Sequence, residues 1–505
     1  MTRKTTVLIL LFLAVPVVAE TTTVQSVRKW RTANEARIIT ELAELLSLPN
    51  VASDAVNIDR NVTELQSMLE HRGFAVERLE VPGSPPAVFG ERKAADATRT
   101  LVFYAHYDGQ PVVPEEWASD PWTPTLLDAP RDKGGRPLDL ARLTSPVPPE
   151  SRLYARSSSD DKAPIVAFLS AIDALEAGGV PIRTNIKIFL EGEEENGSPH
   201  LETMLRTYAE KLQGDLWIFG DGPVHQSRAM QIYYGVRGVT TMELTTYGPS
   251  RALHSGHYGN WAPNPIVTMI SVLASMRDTE GRILIDDFHD DVRPLTGAEK
   301  EALARVPSSD AQMRDELALG RSEGAGQSLA ERITIPAMNI RGISGGAVGE
   351  RSANAIPTHA TASLDFRLVP DQTPEQVITL VRGHLLNHGF HVVTDEPTRD
   401  ELRKHPKVIR MRASGDGYPS ARTDMALPIV REAAEAVRRA RPNLIEMPTL
   451  GGSLPIFLFQ KVLGAPLIGV PIVNHDNSQH AADENVRIQN LWDGIEVYAA
   501  ILAEM

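Results

Sequence analysis

Four short apolar runs in this chain each stop at a cluster of polar residues, and this recurring pattern constrains the fold most. The runs are TLVFYAHYDGQP, NIKIFLEGEEE, GDLWIFGDGP and, near the end, APLIGVPIVNHDNSQH. Segments with helical periodicity, such as DKAPIVAFLSAIDALEAGG, lie between them. Short apolar strands that alternate with helices predict an α/β domain with a mostly parallel sheet flanked by helices. Because ligand sites in such sheets lie at the carboxyl ends of the strands, the polar clusters are expected to meet at one edge.

The pattern changes in the middle of the chain. From about residue 234 the order of elements becomes strand, helix, strand, strand, helix, strand, which is typical of a small α+β sandwich. We therefore predict an inserted domain at 234–416. It would divide a larger domain into a first part at 20–233 and a second part at 417–505.

Residues 1–19 have the pattern of a removable export signal. Arg3 and Lys4 precede an apolar stretch that begins at Val7, and small residues end the segment at Ala19. The apolar stretch is too short to span a bilayer comfortably, and no later segment approaches a membrane span. We therefore expect an exported protein, either periplasmic or secreted. The alternative is an N-terminal anchor that stays uncleaved.

Composition excludes several classes of partner and of site. The chain has 65 acidic and 51 basic residues among 505, and its net charge of -14 argues against nucleic acid or an anionic membrane as a partner. The sequence contains no cysteine, which excludes disulfides, thiolate metal ligands and a cysteine nucleophile. Any metal site must therefore use His, Asp and Glu.

Each polar cluster has an ordinary structural explanation when it is taken alone. Asp160 could cap a helix, and the acidic run around Glu195 could be a solvated face. Together the clusters supply two imidazoles and three carboxylates from elements expected to converge: the HYD triplet at 106–108, the helix start at Ser159 or Asp160, the acidic run 191–195, Asp221 and His480. Such a donor set predicts a site for two adjacent divalent cations that share a carboxylate and activate a water molecule.

Eight motifs carry a resemblance to a known family. They are HYDGQPVVP, RSSSDDKAP, EGEEENGS, GDGP, RALHSGHYG, RLVP, GGSLP and HAADENVRI. The chain resembles, over essentially its whole mature length, the co-catalytic zinc metallopeptidases of family twenty, which include carnosine dipeptidases, glutamate carboxypeptidase, aminoacylase and succinyl-diaminopimelate desuccinylase. The resemblance implies a zinc-exopeptidase-like catalytic domain and an inserted domain that acts as a lid and a dimerisation domain.

The resemblance also implies two divalent metal ions per chain, with zinc expected and manganese or cobalt as alternatives. His106 and Asp221 would bind one ion. Glu195 and His480 would bind the second, and Asp160 would bridge the two. His475, five residues before His480, is the rival ligand, but the match to HAADEN favours His480.

The catalytic roles implied by the resemblance fall on three further residues. Asp108 would fix the orientation of the His106 ring, and Glu194 would be the general base. His254 on the inserted domain would reach the active site of the other subunit of a homodimer and stabilise the oxyanion. His257 is the rival of His254 and is interpreted as structural.

A further set of residues would recognise the carboxylate of the substrate. Arginine can bind a carboxylate through two hydrogen bonds, and glycines let backbone N–H groups approach closely. The residues that the resemblance assigns to this role are Arg367, Gly451, Gly452 and Ser453.

The function that these assignments predict is hydrolysis of dipeptides or short peptides that end in a free carboxylate. An alternative that uses the same site is a deacylase of N-acyl amino acids. A hypothesis of another class is a binding protein on this fold that has lost catalysis. Retention of Glu194 together with all five predicted ligands favours an enzyme.

Overall fold

The structure is a computed structural model that describes residues 22–324, 326–415 and 417–505. The α-helices of this part of the chain are α1 (Thr22–Leu46), α2 (Ala55–Glu70), α3 (Lys162–Ala177), α4 (Leu201–Thr207), α5 (Ser255–Tyr258), α6 (Pro265–Met276), α7 (Gly297–Arg305), α8 (Asp310–Glu316), α9 (Leu329–Arg332), α10 (Pro374–Asn387), α11 (Arg399–Lys404), α12 (Pro428–Ala440), α13 (Phe457–Leu463) and α14 (Ile488–Glu504).

The strands form two larger sheets and several short ribbons. They are β1 (Ala75–Leu79), β2 (Ala87–Arg92), β3 (Thr100–His106), β4 (Thr125–Leu127), β5 (Arg152–Tyr154), β6 (Asn185–Glu191), β7 (Leu216–Phe219), β8 (Gln231–Tyr233), β9 (Gly235–Val236), β10 (Gly238–Tyr247), β11 (Leu253–His254), β12 (Ala337–Ser344), β13 (Ala355–Ile356), β14 (His359–Leu368), β15 (His391–Val393), β16 (Val408–Ala413), β17 (Ala421–Arg422), β18 (Ile445–Met447), β19 (Leu467–Gly469) and β20 (Asn485–Arg487).

The larger sheet has eight strands in the order β1-β2-β6-β3-β7-β19-β8-β18. Its centre, β6-β3-β7-β19, is parallel, as the apolar runs predict. The pairs β1/β2 and β2/β6 are antiparallel, and β8 meets β19 antiparallel at its end. The α/β prediction is therefore confirmed, but the sheet is mixed because strands of opposite direction extend its parallel centre.

Helices cover both faces of this sheet. One face packs against α1, α3, α12 and α14, whose apolar residues form a core with β3 and β6. The other face packs against α4 and α13, and aromatic residues such as Trp217 and Phe459 fill this second core. Because the central strands are buried on both sides, their sequences are continuous apolar runs without alternation.

The second sheet has five strands in the order β12-β14-β10-β16-β15, and these strands lie between Gly238 and Ala413. The helices α6 and α10 pack on it and bury Met269, Leu273 and Val381, among other residues. The predicted inserted α+β sandwich is thus present, and its exact limits at 234 and 416 stay a prediction.

Helix starts follow the sequence signals expected for them. Thr373 and Gln376 form a capping box at the start of α10, and Asp54 accepts a hydrogen bond from the backbone of Asn57 at the start of α2. Across the described residues, no helix combines the length and the apolar character needed to cross a membrane. The predicted signal at 1–19 lies outside the described residues.

Candidate metal centre

Three neighbouring parallel strands end at the same edge of the large sheet, and each delivers side chains predicted for the site. His106 is the last residue of β3. The turn with Glu194 and Glu195 follows β6, and Asp221 lies two residues after β7. Since β6, β3 and β7 are adjacent and parallel, their carboxyl ends bring these four residues together.

The other two predicted ligands, Asp160 and His480, lie in two loops. These loops are held side by side by the pairing of two short strands. Asp160 lies just before α3, and His480 lies in the loop between β19 and β20. The strand β20 pairs with β5, with Asn485 opposite Tyr154. This pairing places the loop that carries His480 next to the loop that carries Asp160, although 320 residues separate the two side chains.

Asp160 lies between the two histidines. Its Oδ1 is 2.9 Å from Nε2 of His106, and its Oδ2 is 3.0 Å from Nε2 of His480. Asp221 Oδ2 is 3.9 Å from the same nitrogen of His106, and Glu195 Oε2 is 3.2 Å from Nε2 of His480. The structure thus brings all five predicted ligands together, with one oxygen of Asp160 directed to each pair.

The donor atoms are arranged as two overlapping groups. His106, Asp160 and Glu195 form one group, and His106, Glu194 and Asp221 form the other, with donor atoms within 4.8 Å of one another in each. His106, Asp160 and Asp221 are buried, whereas His480 is exposed. Among the described residues, no lysine or arginine forms an ion pair with these carboxylates. Two cations held by carboxylate oxygens and imidazole nitrogens would fit this donor set.

The pKa values indicate that the cluster favours positive charge. Burial raises the pKa of Asp221 to about 7, and the charge of Asp160 adds to this effect. Contacts with Asp160 and Glu195 raise the pKa of His480 to about 10. Burial opposes protonation of His106, but Asp108 and Asp160 raise its pKa overall. Because the carboxylates stabilise a positive charge at both imidazoles, metal cations could replace these two protons.

Asp108 contacts the imidazole of His106 and also the turn that carries Glu194 and Glu195. The contact with the turn was not predicted from the sequence. Its Oδ1 lies 3.3 Å from Nδ1 of His106. The backbone N–H groups of Glu194 and Glu195 donate to its two oxygens at 3.1 and 3.0 Å. One buried carboxylate therefore orients the ring of His106 and also fixes the turn that carries the predicted base and a predicted ligand.

Comparisons with known proteins find similarity to peptidases. Residues 234–392 match a family model described as a peptidase dimerisation domain. The Cys-Gly metallodipeptidase dug1 of Schizosaccharomyces pombe is 25% identical over 486 residues, which cover 92% of this chain and 95% of that protein. The crystal structure of an M20 family metallo-carboxypeptidase from Sulfolobus solfataricus superposes with a TM-score of 0.73 at 28% identity, and covers 92% of this chain and 98% of that one.

The chain is thus similar to M20 metallopeptidases along nearly its whole length. The human Beta-Ala-His dipeptidase is 23% identical over 427 residues, which cover 83% of this chain and 78% of that protein. The crystal structure of human carnosine dipeptidase 1 has the same fold, with a TM-score of 0.72 at 21% identity over 96% of this chain and 99% of that one. M20 metallopeptidases use dinuclear metal sites, and this chain is a metallopeptidase.

The comparison corrects one prediction. The pattern of residues 1–19 predicts an exported protein, periplasmic or secreted. This prediction is wrong, because the related yeast Cys-Gly metallodipeptidases are cytosolic enzymes. It depended on residues 1–19, for which the structure offers no description.

Glu484 is a buried residue of this site that was not predicted from the sequence. Its carboxylate accepts hydrogen bonds from the backbone N–H groups of Ser157, Ser159 and Asp160 at 2.8 to 3.0 Å, and from Arg156 at 2.7 Å. Glu484 thereby fixes the loop that presents Asp160. Its place inside the HAADEN motif, four residues after His480, was the available signal.

Two glutamines that the sequence analysis did not identify also contact predicted ligands. Gln110 donates to Oε2 of Glu195 at 2.8 Å, and Gln479 donates to Oδ2 of Asp160 at 2.6 Å. Gln110 lies inside the motif HYDGQPVVP, and Gln479 directly precedes the motif HAADENVRI. They add a hydrogen bond to carboxylates that also face the histidines of the site.

The remaining acids of the run EGEEE have structural partners. Glu191 accepts a hydrogen bond from the hydroxyl of Tyr104 at 2.8 Å. Glu193 lies 3.0 Å from the ring of His200 and accepts a hydrogen bond from that residue's backbone N–H group. These contacts explain why the acidic run is tolerated outside the cluster itself.

The predicted carboxylate-binding residues also meet. Arg367 donates from Nη1 to Oγ of Ser453 at 2.8 Å, and its Nε donates to Asp365 at 2.9 Å. Gly451 and Gly452 precede Ser453 in the same loop. Burial raises the pKa of the Tyr418 phenol. The charge of Glu194 raises this pKa further, and the charge of Arg367 lowers it in part, so both residues lie near the phenol.

His254 is not part of the cluster within one subunit. It ends β11 on the inserted domain, where it is exposed. Its Nδ1 accepts a hydrogen bond from Gly256 at 3.1 Å, and its ring lies 4.5 Å from the ring of His257. The rival residue His475 is half-buried, and none of its contacts in the described chain is with the cluster. His480, rather than His475, meets the other predicted ligands.

Proposed function

We propose that this M20 metallopeptidase is a dipeptidase that hydrolyses dipeptides or short peptides with a free C-terminal carboxylate. The observation that carries the proposal is the position of Asp160. One of its oxygens faces His106 and the other faces His480, and the predicted base Glu194 belongs to the same cluster of donor atoms. The names of the relatives support the substrate class, because they describe dipeptidases. The same relatives do not favour the N-acyl-amino-acid deacylase that the sequence left open.

We propose that His106 and Asp221 would hold one zinc ion, that Glu195 and His480 would hold the other, and that Asp160 would be a ligand shared by both. When bound, the two cations would supply Lewis acidity that polarises the scissile carbonyl and makes the attacking water more acidic. Manganese and cobalt are the alternatives to zinc, since oxygen and imidazole donors accept all three.

Glu194 would act on the water and on the leaving group. Its carboxylate takes a proton from the water whose oxygen forms the new bond to the carbonyl carbon. It then returns that proton to the amine nitrogen as the carbon–nitrogen bond breaks. Without cations in the site, desolvation together with the charges of Asp221 and Glu195 raises the pKa of Glu194.

The carboxylate of the substrate would bind at the other end of the site. Arg367 and Ser453 offer a guanidinium and a hydroxyl 2.8 Å apart, and a carboxylate can accept hydrogen bonds from both. A fixed position for this carboxylate limits where the scissile bond lies relative to Glu194. Such an arrangement selects short substrates that end close to the reacting amide.

We also propose that the enzyme is a homodimer formed through the inserted domain. The edge strand β12 exposes Ile340 and Ile343, and the neighbouring helix α6 exposes Val267 and Ile270, whose exposed fractions are 59% and 55%. An unpaired strand edge beside exposed apolar side chains is suited to pairing with a second copy. His254 of one subunit would then stabilise the oxyanion in the site of the other.

A substrate panel tests the proposed activity. We expect hydrolysis of dipeptides that is lost with a chelator and restored by zinc, manganese or cobalt. N-acetyl amino acids should be poorer substrates. Preferred turnover of N-acetyl amino acids would replace the dipeptidase assignment with the deacylase, and no turnover of either class after metal addition would favour a binding protein.

Sedimentation and a single substitution test the dimer. We expect a sedimenting mass of two chains, and His254→Ala should lower kcat without changing folding. A mixture of His254→Ala and Glu194→Gln chains should recover activity, because mixed dimers contain one intact site. A monomer of full activity would contradict both parts of this proposal.

A further inference from the structure

The predicted carboxylate subsite is built from two parts of the fold. Arg367 lies on β14, in the five-stranded sheet of the inserted domain. Gly451, Gly452 and Ser453 lie in the loop that follows β18, a strand of the large sheet. A carboxylate that binds both Arg367 and this loop therefore requires a fixed position of one sheet relative to the other.

A short connecting segment, residues 235–239, contacts both parts. The backbone N–H of Leu450 donates to the carbonyl of Gly235 at 2.8 Å. On the other side, Val239 is paired with Arg367 in the ladder between β10 and β14. The segment therefore lies where the loop and the arginine of the subsite come together.

Arg237, in the middle of this segment, holds two consecutive carbonyls of the loop. Its backbone N–H donates to the carbonyl of Gly452 at 3.2 Å, and its side-chain Nε donates to the carbonyl of Gly451 at 3.0 Å. In a trans peptide unit the C=O and the next N–H point in opposite directions. The N–H groups of Gly452 and Ser453 consequently face away from Arg237.

These two N–H groups are free to bind a ligand. Neither has a hydrogen-bond acceptor among the described residues. One belongs to Ser453, whose hydroxyl accepts the hydrogen bond from Arg367, and the other belongs to the residue before it. Adjacent backbone N–H groups form a concave binding site for an anion. A carboxylate could thus accept hydrogen bonds from the guanidinium of Arg367 and from the two backbone N–H groups of the loop.

Electrostatics supports the same assignment. Burial and the nearby charge of Arg367 lower the pKa of Arg237 to about 10, and Asp365 offsets only part of this effect. Two guanidinium groups close together with a single carboxylate partner leave net positive charge at the subsite. An anionic ligand would relieve this repulsion.

We propose that Arg237 is a positioning residue of the carboxylate subsite, which holds the 451–453 loop so that its free N–H groups face the C-terminal carboxylate of the substrate. This inference rests on the proposed function. Arg237 acts through the loop and does not itself need to contact the substrate. Its loss should therefore weaken binding of the carboxylate and leave the reacting groups in place.

The test compares Arg237→Gln with the wild-type enzyme on a dipeptide and on the C-terminal amide of the same dipeptide. We expect KM for the dipeptide to rise about tenfold or more, since hydrogen bonds to charged groups are among the stronger ones. The kcat for the dipeptide should stay within about threefold, and KM for the amide should change little. Arg237→Lys, which keeps the charge but loses the Nε contact, should show an intermediate rise.

Arg321→Gln is the matched control. Arg321 lines the same cavity of about 540 Å³ as Arg237, but it pairs with Glu280 and makes no contact with the loop. This variant should keep the KM values of the wild type. Equal increases for the dipeptide and its amide in Arg237→Gln, or no increase in KM, would overturn the proposal.

A binding measurement separates this inference from the proposed activity. Calorimetric titration with a free amino acid and with its amide reports on the carboxylate without any turnover. We expect the free amino acid to bind the wild type more tightly, and Arg237→Gln to lose that preference. If the wild type hydrolyses no dipeptide, the proposed function fails, whereas an unchanged preference in Arg237→Gln refutes the positioning role alone.

Discussion

Buried carboxylates occur in two regions of this protein, and their surroundings differ. Glu496, in the middle of α14, accepts hydrogen bonds from Arg28 at 2.7 Å and from Arg441 at 2.9 Å. Asp160 and Asp221 at the metal centre are equally buried, but their close charged neighbours are His106 and His480. In the first region permanent cations of the chain neutralise the acid.

The pKa values express the same difference. Burial alone would raise the pKa of Glu496, but the hydrogen bond from Arg28 and the charge of Arg441 lower it overall. At the metal centre burial dominates, and it raises the pKa of Asp221 to about 7. A buried acid without its own arginine is costly. The Glu496 region therefore contributes to stability through ion pairs within the chain. At the metal centre the negative charge of the carboxylates is not neutralised by an arginine or lysine of the described chain, so added cations can neutralise it.

The largest effect is expected for Glu194→Gln. Loss of the base should lower kcat by a factor of about 10²–10⁴, because the amide cannot accept the proton of the water. Metal content should stay at two ions per chain. The measurement combines initial rates on a dipeptide with elemental analysis of the same sample. A large loss of metal would reassign Glu194 as a ligand.

Arg441→Met sharpens the comparison from the other side. It removes one cation from Glu496 and Asp493, and breaking a buried pair costs about 3–5 kcal/mol. The free energy of unfolding in urea should fall by an amount of that order, while kcat of the folded enzyme stays unchanged.

The control for this change is Arg206→Met. Arg206 forms an ion pair with Glu202, and the two side chains are 58% and 39% exposed, respectively. Its cost should be about 1 kcal/mol or less. Equal losses of stability in the two variants would remove the distinction between the regions.

Metal addition should stabilise the protein through the metal centre alone. At a free zinc concentration about 100 times Kd, linkage predicts a gain of about 2.7 kcal/mol for one site. Differential scanning calorimetry should therefore show a higher Tm with zinc for the wild type. Asp160→Asn should lose most of this response, whereas Glu496→Gln should keep it. A zinc response that survives in Asp160→Asn would place the cations elsewhere.

The smallest expected effect is a pH dependence of stability. Because the pKa of Glu496 is lower in the folded state, its contribution is present above the unfolded value near 4.5 and is lost as pH falls through the folded value. The urea midpoint of the wild type should therefore fall more steeply below pH 4.5 than that of Glu496→Gln. Parallel curves for the two proteins would show that this carboxylate is not the one that titrates.

Local sequence was sufficient for the elements that carry the site. The apolar runs predict β3, β6 and β7 because central strands need apolar residues on both faces. Polar residues at their ends then fall on one edge, which is how His106, Glu195 and Asp221 could be placed together before any coordinates. The antiparallel flanks of the sheet could not be predicted in this way, since strand direction depends on which strand becomes the neighbour.

The part of the site that local sequence did not specify depends on contacts between distant segments. The pairing of β5 with β20 brings Glu484 to the loop of Asp160, and the backbone N–H donors that Glu484 satisfies carry no signal in the residue types. In the same way, nothing in the residue Arg237 indicates that it faces the carbonyls of Gly451 and Gly452.

The sequence by itself determined the donor chemistry, because residue types decide which atoms can bind a cation or accept a proton. It also determined the alternation of strands and helices, through the periodicity of apolar side chains. Only the tertiary structure decided which oxygen of Asp160 faces which histidine, and which buried acids receive an arginine. These outcomes depend on long-range packing, because the fold brings side chains that are far apart in the sequence into direct contact.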